Sequence, residues 1–145
     1  MVTIRRVQSD DIIPVIALAY DTLPERYHPS IFNQFYESYP QGFLVAYHEQ
    51  TLIGFIIGLK TTPQAARILM LSVKDLHRKQ GIGSALLRQF FKEITHNHVK
   101  RVELEVRAIN QGALDFYTKQ GFIVQEKLSG FYQNGEDAYS MKKEL

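Results

Sequence analysis

The residues best suited to chemistry form a glycine-containing turn between an apolar run and an amphipathic helix. In order, they are Arg78, Lys79, Gln80, Gly81, Ile82, Gly83 and Ser84. Two glycines let the main chain turn tightly and approach a ligand closely. The first N–H groups of a helix lack intrahelical partners and, together with the helix dipole, favour an anion such as a pyrophosphate. The turn therefore predicts a pyrophosphate site, to which Arg78 and Lys79 add positive charge, with an ordinary glycine-rich connection as the alternative.

Other chemistries find less support in the sequence. The turn lacks the Gly-Lys-Ser/Thr ending of a Walker loop, and it also lacks the full dinucleotide-binding fingerprint. The chain contains no cysteine, which removes disulfides, thiolate metal ligands and a cysteine nucleophile. His96 and His98 lie two positions apart at a helix end, so they do not share a helix face and make a poor metal pair. We therefore expect no metal site.

Length and composition indicate one globular domain spanning residues 1–145. A chain of 145 residues has the size of a single domain, and neither a repeat nor a linker divides it. Hydrophobic residues make up 45% and charged residues 22%, which argues against disorder. The net charge of +2 is too small to predict a nucleic-acid or membrane partner. Because we find neither a secretory signal nor an apolar run long enough to span a membrane, we expect a cytoplasmic protein.

Hydrophobic periodicity predicts a mixed sheet covered by helices. Apolar or alternating runs predict strands at Thr3–Val7, Phe43–Tyr47, Leu52–Leu59, Arg67–Val73, Val102–Arg107, Phe122–Glu126 and Ala138–Met141. Four helices are predicted. The first begins at a cap, Asp11, has Pro14 in its first turn and ends near Pro24. The others cover Ser30–Tyr39, the apolar stripe Leu86, Leu87, Phe90, Phe91 and Ile94, and Asn110–Gln120. Strands and helices alternate in the middle of the chain and hairpins flank them, which is typical of a mixed sheet with helical layers.

The turn and the segment after the next helix resemble the Gcn5-related N-acetyltransferases (GNAT). The turn is similar to motif A of that family, Arg/Gln-x-x-Gly-x-Gly/Ala. The next part of the family pattern is matched, in order and spacing, by Leu104–Arg107, Asn110, Ala113, Phe116–Tyr117 and Gly121–Phe122. One departure is Lys74–His77, where relatives usually have Pro and Tyr, and we interpret His77 as a surface or packing residue.

Two further segments narrow the resemblance to the protein N-terminal acetyltransferase branch. The tail carries Phe131–Tyr132, Gly135–Ala138 and Met141, and it looks like the ending found in that branch. Near the front, Leu23–Tyr27 resembles the Leu-Pro-Glu-x-Tyr loop of the NatA catalytic subunit and its archaeal relatives. The second half also resembles the RimI-type enzymes. Together the matches span nearly the whole chain.

The resemblance implies an α/β (α+β) architecture, the GNAT fold. Its mixed, mostly antiparallel sheet would have about six to seven strands, with a central parallel pair that splays apart and about four flanking helices. Acetyl-CoA would enter the splay, with its pantetheine arm along a strand backbone and its pyrophosphate on the glycine turn. The residues implied to bind the coenzyme are Leu71, Ser72, Val73, Arg78, Lys79, Gln80, Gly81, Ile82, Gly83, Ser84, Asn110 and Tyr117.

The same resemblance implies transfer of acetyl from acetyl-CoA to the α-amino group of a protein or peptide N-terminus by direct attack. At pH 7, deprotonation of an α-amine costs about 1.4 kcal/mol and that of lysine about 4.6 kcal/mol, so one carboxylate suffices more easily for the α-amine. Glu105 is the implied base, Tyr117 the implied acid, and Glu25 the carboxylate that orients the amine. Tyr27 and Tyr132 would line the peptide channel. Each residue has a structural alternative, as a solvated carboxylate or a packed aromatic side chain.

Alternative functions stay open at this point. A protein of this family could instead acetylate a lysine side chain, a polyamine or another small amine, and a third hypothesis is a non-enzymatic CoA-binding interaction module. The tail motif favours a protein N-terminus, because small-molecule relatives usually lack that ending. We expect protein or peptide N-termini as acceptors, a ribosome or ribosomal protein as a further candidate partner, no nucleic-acid or membrane partner, and a monomer or weak homodimer.

Overall fold

A seven-stranded sheet runs through the molecule, and the computed structural model describes all of residues 1–145. The strands are β1 (Val2–Arg6), β2 (Phe43–His48), β3 (Thr51–Thr62), β4 (Ala65–Val73), β5 (Arg101–Arg107), β6 (Ile123–Leu128) and β7 (Ala138–Glu144). They lie in the order β1-β2-β3-β4-β5-β7-β6. Every neighbouring pair is antiparallel except β4 and β5, which are parallel. The predicted mixed, mostly antiparallel sheet is confirmed.

The parallel pair is short, and this opens the sheet at its centre. β4 and β5 pair only over Ala65–Arg67 and Arg101–Glu103. Beyond these residues β4 continues to Val73 and β5 continues to Arg107 without pairing to each other. The two strands therefore splay, as the resemblance implies, and they leave main-chain hydrogen-bonding groups free for other partners in the gap.

Four α-helices cover the sheet, in agreement with the prediction. They are α1 (Ile12–Thr22), α2 (Ser30–Ser38), α3 (Ile82–Thr95) and α4 (Gln111–Lys119), and short 3-10 turns lie at Ser9–Asp11, Pro40–Gly42 and Asp75–His77. None of the four combines the length and the apolar character that crossing a bilayer requires.

The core has one layer on each face of the sheet, because successive strand residues point to opposite faces. In β2, Leu44 and Ala46 pack on the face covered by α3. Phe43 and Val45 of the same strand pack on the face covered by α1 and α2. The buried stripe of α3 comprises Ile82, Leu86, Leu87, Phe90 and Ile94. This stripe anchors α3 so that its first turn lies at the open end of the splay.

The predicted cap at Asp11 is wrong in its chemistry. Asp11 stands at the N-cap position of α1 and Pro14 lies in the first turn, but the carboxylate bonds no amide of that helix. It accepts instead from Arg5 Nη1 (2.7 Å), the Tyr47 hydroxyl (2.6 Å) and the Gln8 N–H (2.7 Å). Burial raises the pKa of Asp11, but these hydrogen bonds outweigh burial and hold the pKa below its ordinary value. The side chain therefore ties β1 and β2 to the start of α1.

Strand ends differ from the prediction where polar residues continue a ladder. β3 continues past Leu59 because Lys60 and Thr62 still pair with β4. β7 continues past Met141, and Glu144 still pairs with β5. Main-chain pairing does not require apolar side chains, so hydrophobic periodicity underestimates strand length at these ends.

Candidate active site

A cavity of about 670 Å³ occupies the open end of the splay, between the end of β4, the start of α3, α4 and the end of α1. Of the residues implied to bind the coenzyme, those that line it are Leu71, Ser72, Val73, Arg78, Lys79, Gly81, Ile82, Gly83, Ser84, Asn110 and Tyr117. Gln80 is exposed and lies outside the lining. The wall also contains residues outside the implied set, namely Thr22, Leu23, Pro24, His77, Gly112, Ala113 and Phe116.

The turn before α3 places unpaired main-chain donors at this cavity. Lys79 and Gly81 adopt left-handed conformations with φ angles of 63° and 79°, and glycine tolerates this region without strain. Because α3 begins at Ile82, the amides of Ile82, Gly83 and Ser84 have no acceptor within the protein. These donors coincide with the positive end of the helix dipole. The local geometry is that of an anion-binding site.

Two side chains near the turn are already engaged within the protein. Arg78 Nε donates to the Val73 carbonyl oxygen at 3.3 Å and lies 3.2 Å from the Asp75 carboxylate. The Ser84 hydroxyl accepts a hydrogen bond from Gln120 Nε2 at 3.0 Å. The main chain therefore supplies the free donors of the turn, whereas these side chains help to fix its shape.

Asn110 and Tyr117 reach the cavity from opposite ends of α4. Asn110 Oδ1 accepts from the Ala113 N–H at 3.0 Å and caps the helix. Tyr117 is half-buried, and its ring packs edge-on against Phe116 and Phe122 with centroid distances of 5.1 and 5.5 Å. Burial raises the pKa of Tyr117, so the phenol stays protonated at neutral pH. Tyr117 can therefore donate a hydrogen bond into the cavity.

Glu105 lies on β5, on the sheet face opposite α3, where the splay begins. Its side chain is 14% exposed, and its Oε2 lies 3.0 Å from Arg67 Nη2 of β4. Burial raises the pKa of Glu105, the Arg67 charge opposes this shift, and the Glu103 charge adds to it. This environment differs from that of a solvated surface glutamate, because little of the side chain remains in water and a single guanidinium pairs with it.

A second group of side chains, the Arg107 cluster, comprises Glu25, Arg107, Tyr132 and Glu136. Arg107 Nη2 lies 3.3 Å from Glu25 Oε1, and Arg107 Nη1 bonds the Glu136 carboxylate. The guanidinium carbon lies 3.9 Å from the centroid of the Tyr132 ring, a cation–π contact. The loop after α1, the end of β5 and the loop before β7 therefore converge at this cluster.

The residues implied to bind the acceptor lie in or near this cluster. Glu25 and Tyr132 belong to it, and Tyr27 lies near enough that the Glu25 charge adds to the effect of burial in raising the pKa of Tyr27. Burial, together with the charges of Glu25 and Glu105, raises the pKa of Tyr132 to about 12. Pro24 lines the cavity and directly precedes Glu25, so the cluster adjoins the cavity.

Sequence reasoning misses three charged residues of this region, Arg67, Arg107 and Glu136. The period-two alternation of β5 puts Arg107 on the same polar face as Glu105, and this signal could have identified it. Glu136 belongs to the tail motif, but nothing in the sequence indicates that it pairs with Arg107. Arg67 has no sequence signal at all, because the strand that holds its carboxylate partner lies far along the chain.

Comparison with known proteins agrees with this architecture. The acetyltransferase (GNAT) family model matches residues 12–122. The chain is 30% identical to an N-alpha-acetyltransferase of Saccharolobus solfataricus, over 99% of this chain and 93% of that protein. It is 33% identical to an N-alpha-acetyltransferase of Sulfolobus acidocaldarius, over 98% and 92% of the two chains. The crystal structure of Ard1 from Thermoplasma volcanium matches with a TM-score of 0.95 at 33% identity, over 99% of this chain and 97% of that chain. The resemblance inferred from the motifs is confirmed, and the chain belongs to the acetyltransferase (GNAT) family.

Proposed function

We propose that the protein transfers the acetyl group of acetyl-CoA to the α-amino group of protein or peptide N-termini. The observation that carries the proposal is the continuity of one site: a cavity with unpaired amides at one end adjoins a cluster of charged and aromatic side chains at the other. A largely buried carboxylate, Glu105, lies beside that cluster. The N-alpha-acetyltransferases to which the chain is similar over nearly its whole length support the same activity.

The N-terminus of α3 is the proposed site for the coenzyme pyrophosphate. The amides of Ile82, Gly83 and Ser84 supply free donors there. A Cβ at Gly83 would make only an ordinary contact, 3.5 Å from Phe116, so the protein's own packing leaves room for a side chain. The advantage of glycine is then close approach of a ligand to the main chain. The edge of β4 at Leu71–Val73, which does not pair with β5, would hydrogen-bond the pantetheine arm, and the Val73 carbonyl oxygen already accepts from Arg78 Nε.

Glu105 is the proposed base. It accepts a proton from the attacking amine as the nitrogen–carbon bond forms at the thioester carbonyl and the carbon–sulfur bond breaks. Tyr117, whose phenol is protonated at neutral pH, is the proposed acid and donates its hydrogen bond to the departing sulfur. Because deprotonation at pH 7 costs about 1.4 kcal/mol for an α-amine and about 4.6 kcal/mol for lysine, this single carboxylate fits the α-amine better.

The Arg107 cluster is the proposed site for the acceptor terminus. Glu25 supplies a carboxylate that attracts a terminal amine, and its contact with Arg107 at 3.3 Å fixes its position. Tyr27 and Tyr132, both close enough to Glu25 to feel its charge, would add aromatic surface to the acceptor site. A peptide terminus bound here would lie next to the coenzyme cavity, because Pro24 lines the cavity and directly precedes Glu25.

Acetylation of short peptides, followed by mass spectrometry, tests the proposal. Peptides that begin with Ser, Ala, Thr or Met and contain one internal lysine are incubated with acetyl-CoA beside a matched set whose N-terminus is blocked. We expect one acetyl group on the α-amine of the free peptides and none on the blocked set. Transfer only to lysine or to a polyamine would contradict the proposal. So would coenzyme binding in a calorimeter without transfer to any amine.

A further inference from the structure

An ion pair crosses the sheet at the point where the parallel strands separate. Arg67 is the last residue of β4 that pairs with β5, and its register partner is Glu103. The guanidinium nevertheless reaches past that partner, and its Nη2 lies 3.0 Å from Glu105 Oε2. Glu103 has partners of its own, Arg101 at 3.5 Å and Gln125 at 3.1 Å. Glu103 and Glu105 therefore have separate cationic partners, and Arg67 forms an ion pair with Glu105 only.

The surroundings of Glu105 distinguish this pair from an exposed surface contact. The Glu105 side chain is 14% exposed, whereas that of Arg67 is 45% exposed. The charged and titratable groups around the carboxylate are Arg67 of β4, Glu103 and Arg107 of β5, and Tyr132 of the loop before β7. Directly opposite on β7 stands Ser140, which is uncharged. Arg107 is engaged by Glu25 and Glu136, so the cation that stabilises ionised Glu105 is Arg67.

We propose that Arg67 is a positioning residue for the transfer reaction, which fixes the Glu105 carboxylate at the splay and favours its ionised, proton-accepting form. This inference rests on the proposed function, in which Glu105 is the base. Burial raises the pKa of Glu105, and the permanent charge of a guanidinium counteracts that rise. Arg67 thereby keeps the base competent at a lower pH than burial alone would allow.

Direct titration of Glu105 tests the inference without relying on turnover. In protein isotope-labelled at the Glu carboxyl carbons, the NMR signal of Glu105 is assigned by its loss in Glu105→Gln. We expect the pKa of Glu105 to be higher by roughly one unit in Arg67→Gln, because an opposite charge this close shifts a carboxyl by about 1–3 units. Arg67→Lys, which keeps the charge, should restore most of the difference. An unchanged pKa in Arg67→Gln overturns the inference.

Arg101→Gln is the matched control, because it removes a guanidinium from the same region of the sheet that pairs with Glu103 and not with Glu105. We expect the pKa of Glu105 to be unchanged in this variant. An equal shift in both variants would mean a general charge effect and would contradict a specific role for Arg67. If Arg67→Gln does not fold, Arg67→Met, which retains an unbranched apolar stem, replaces it in the same titration.

The pH profile of kcat/KM links the titration to the reaction. As the pH falls, log kcat/KM for a peptide should first decline with a slope of one as the amine protonates, and then with a slope of two as the carboxyl also protonates. In Arg67→Gln the second break should move up with the pKa of Glu105, while the Kd for acetyl-CoA stays unchanged. A break that does not move with the pKa overturns the inference. A wild-type protein that acetylates no α-amine would overturn the proposed function itself, and the titration distinguishes the two failures.

Discussion

The two halves of the proposed site are built in different ways. The coenzyme half uses mainly main-chain groups from one continuous stretch, the end of β4 and the turn into α3. The acceptor half uses side chains brought together from distant parts of the chain, such as Glu25 and Arg107, which are 82 residues apart. Every residue carries an amide, so a turn and a helix start suffice to build the first half. The second half exists only once the sheet and its loops have assembled.

This difference predicts different sensitivities to substitution. At the coenzyme half, a change should matter when it occupies the space of the ligand or adds negative charge near the free amides. At the acceptor half, loss of a single charged group leaves its partner partly buried without a counter-charge. The following substitutions separate the two patterns.

The largest effect is expected at Glu105. We expect Glu105→Gln to lower kcat by about 100-fold or more, the size of a general-base contribution, because the amide cannot accept the proton. The Kd for acetyl-CoA, measured by calorimetry, should not change. Glu103→Gln is the control, since Glu103 lies on the same face of β5 and pairs with Arg101 instead. Equal activity in wild type and Glu105→Gln would assign the proton transfer to Glu25 or to bound water.

A smaller effect on a different quantity is expected at Gly83. Gly83→Glu should weaken acetyl-CoA binding by roughly tenfold or more, because the side chain crowds the free amides and its charge repels phosphate. Arg88→Gln, at an exposed position of the same helix, changes the net charge by the same amount away from the cavity. Calorimetry should show a weaker Kd in the first variant only. Similar Kd values in both would remove the turn from the coenzyme site.

The smallest effect is expected at Arg107. Arg107→Gln should raise KM for the peptide by roughly tenfold, since Glu25 and Glu136 lose the charge-assisted bonds that hold both loops. In Arg107→Lys the KM for the peptide should return only part of the way to the wild-type value, because an ammonium cannot reproduce the forked guanidinium that bonds two carboxylates. Steady-state kinetics at varied peptide concentration measure the KM in both variants. If acetyl-CoA binding weakened as much as peptide binding, the two halves would not be separable.

Sequence reasoning succeeded where the structural cause is local. The strand–turn–helix at Arg78–Ser84 and the helix predicted over Asn110–Gln120, which the structure has at Gln111–Lys119, both depend on near neighbours in the chain. Hydrophobic periodicity likewise predicted every strand and helix, apart from their ends.

Partner choice across the sheet could not be predicted in the same way. Asp11 looks like a helix cap in the sequence, but in the structure its carboxylate accepts hydrogen bonds from Arg5 of β1 and Tyr47 of β2. Arg67 finds Glu105 only because β4 and β5 become parallel neighbours through a long crossover. The proposed roles of Glu105 and Tyr117 came from the family resemblance and stay predictions.

A crystal structure with acetyl-CoA bound tests the central claim most directly. The account predicts pyrophosphate oxygens within about 2.7–3.2 Å of the amide nitrogens of Ile82, Gly83 and Ser84, the range of ordinary hydrogen bonds. It also predicts a thioester that points from the splay toward Glu105. A coenzyme bound elsewhere on the surface, or a vacant cavity at saturating acetyl-CoA, would contradict it.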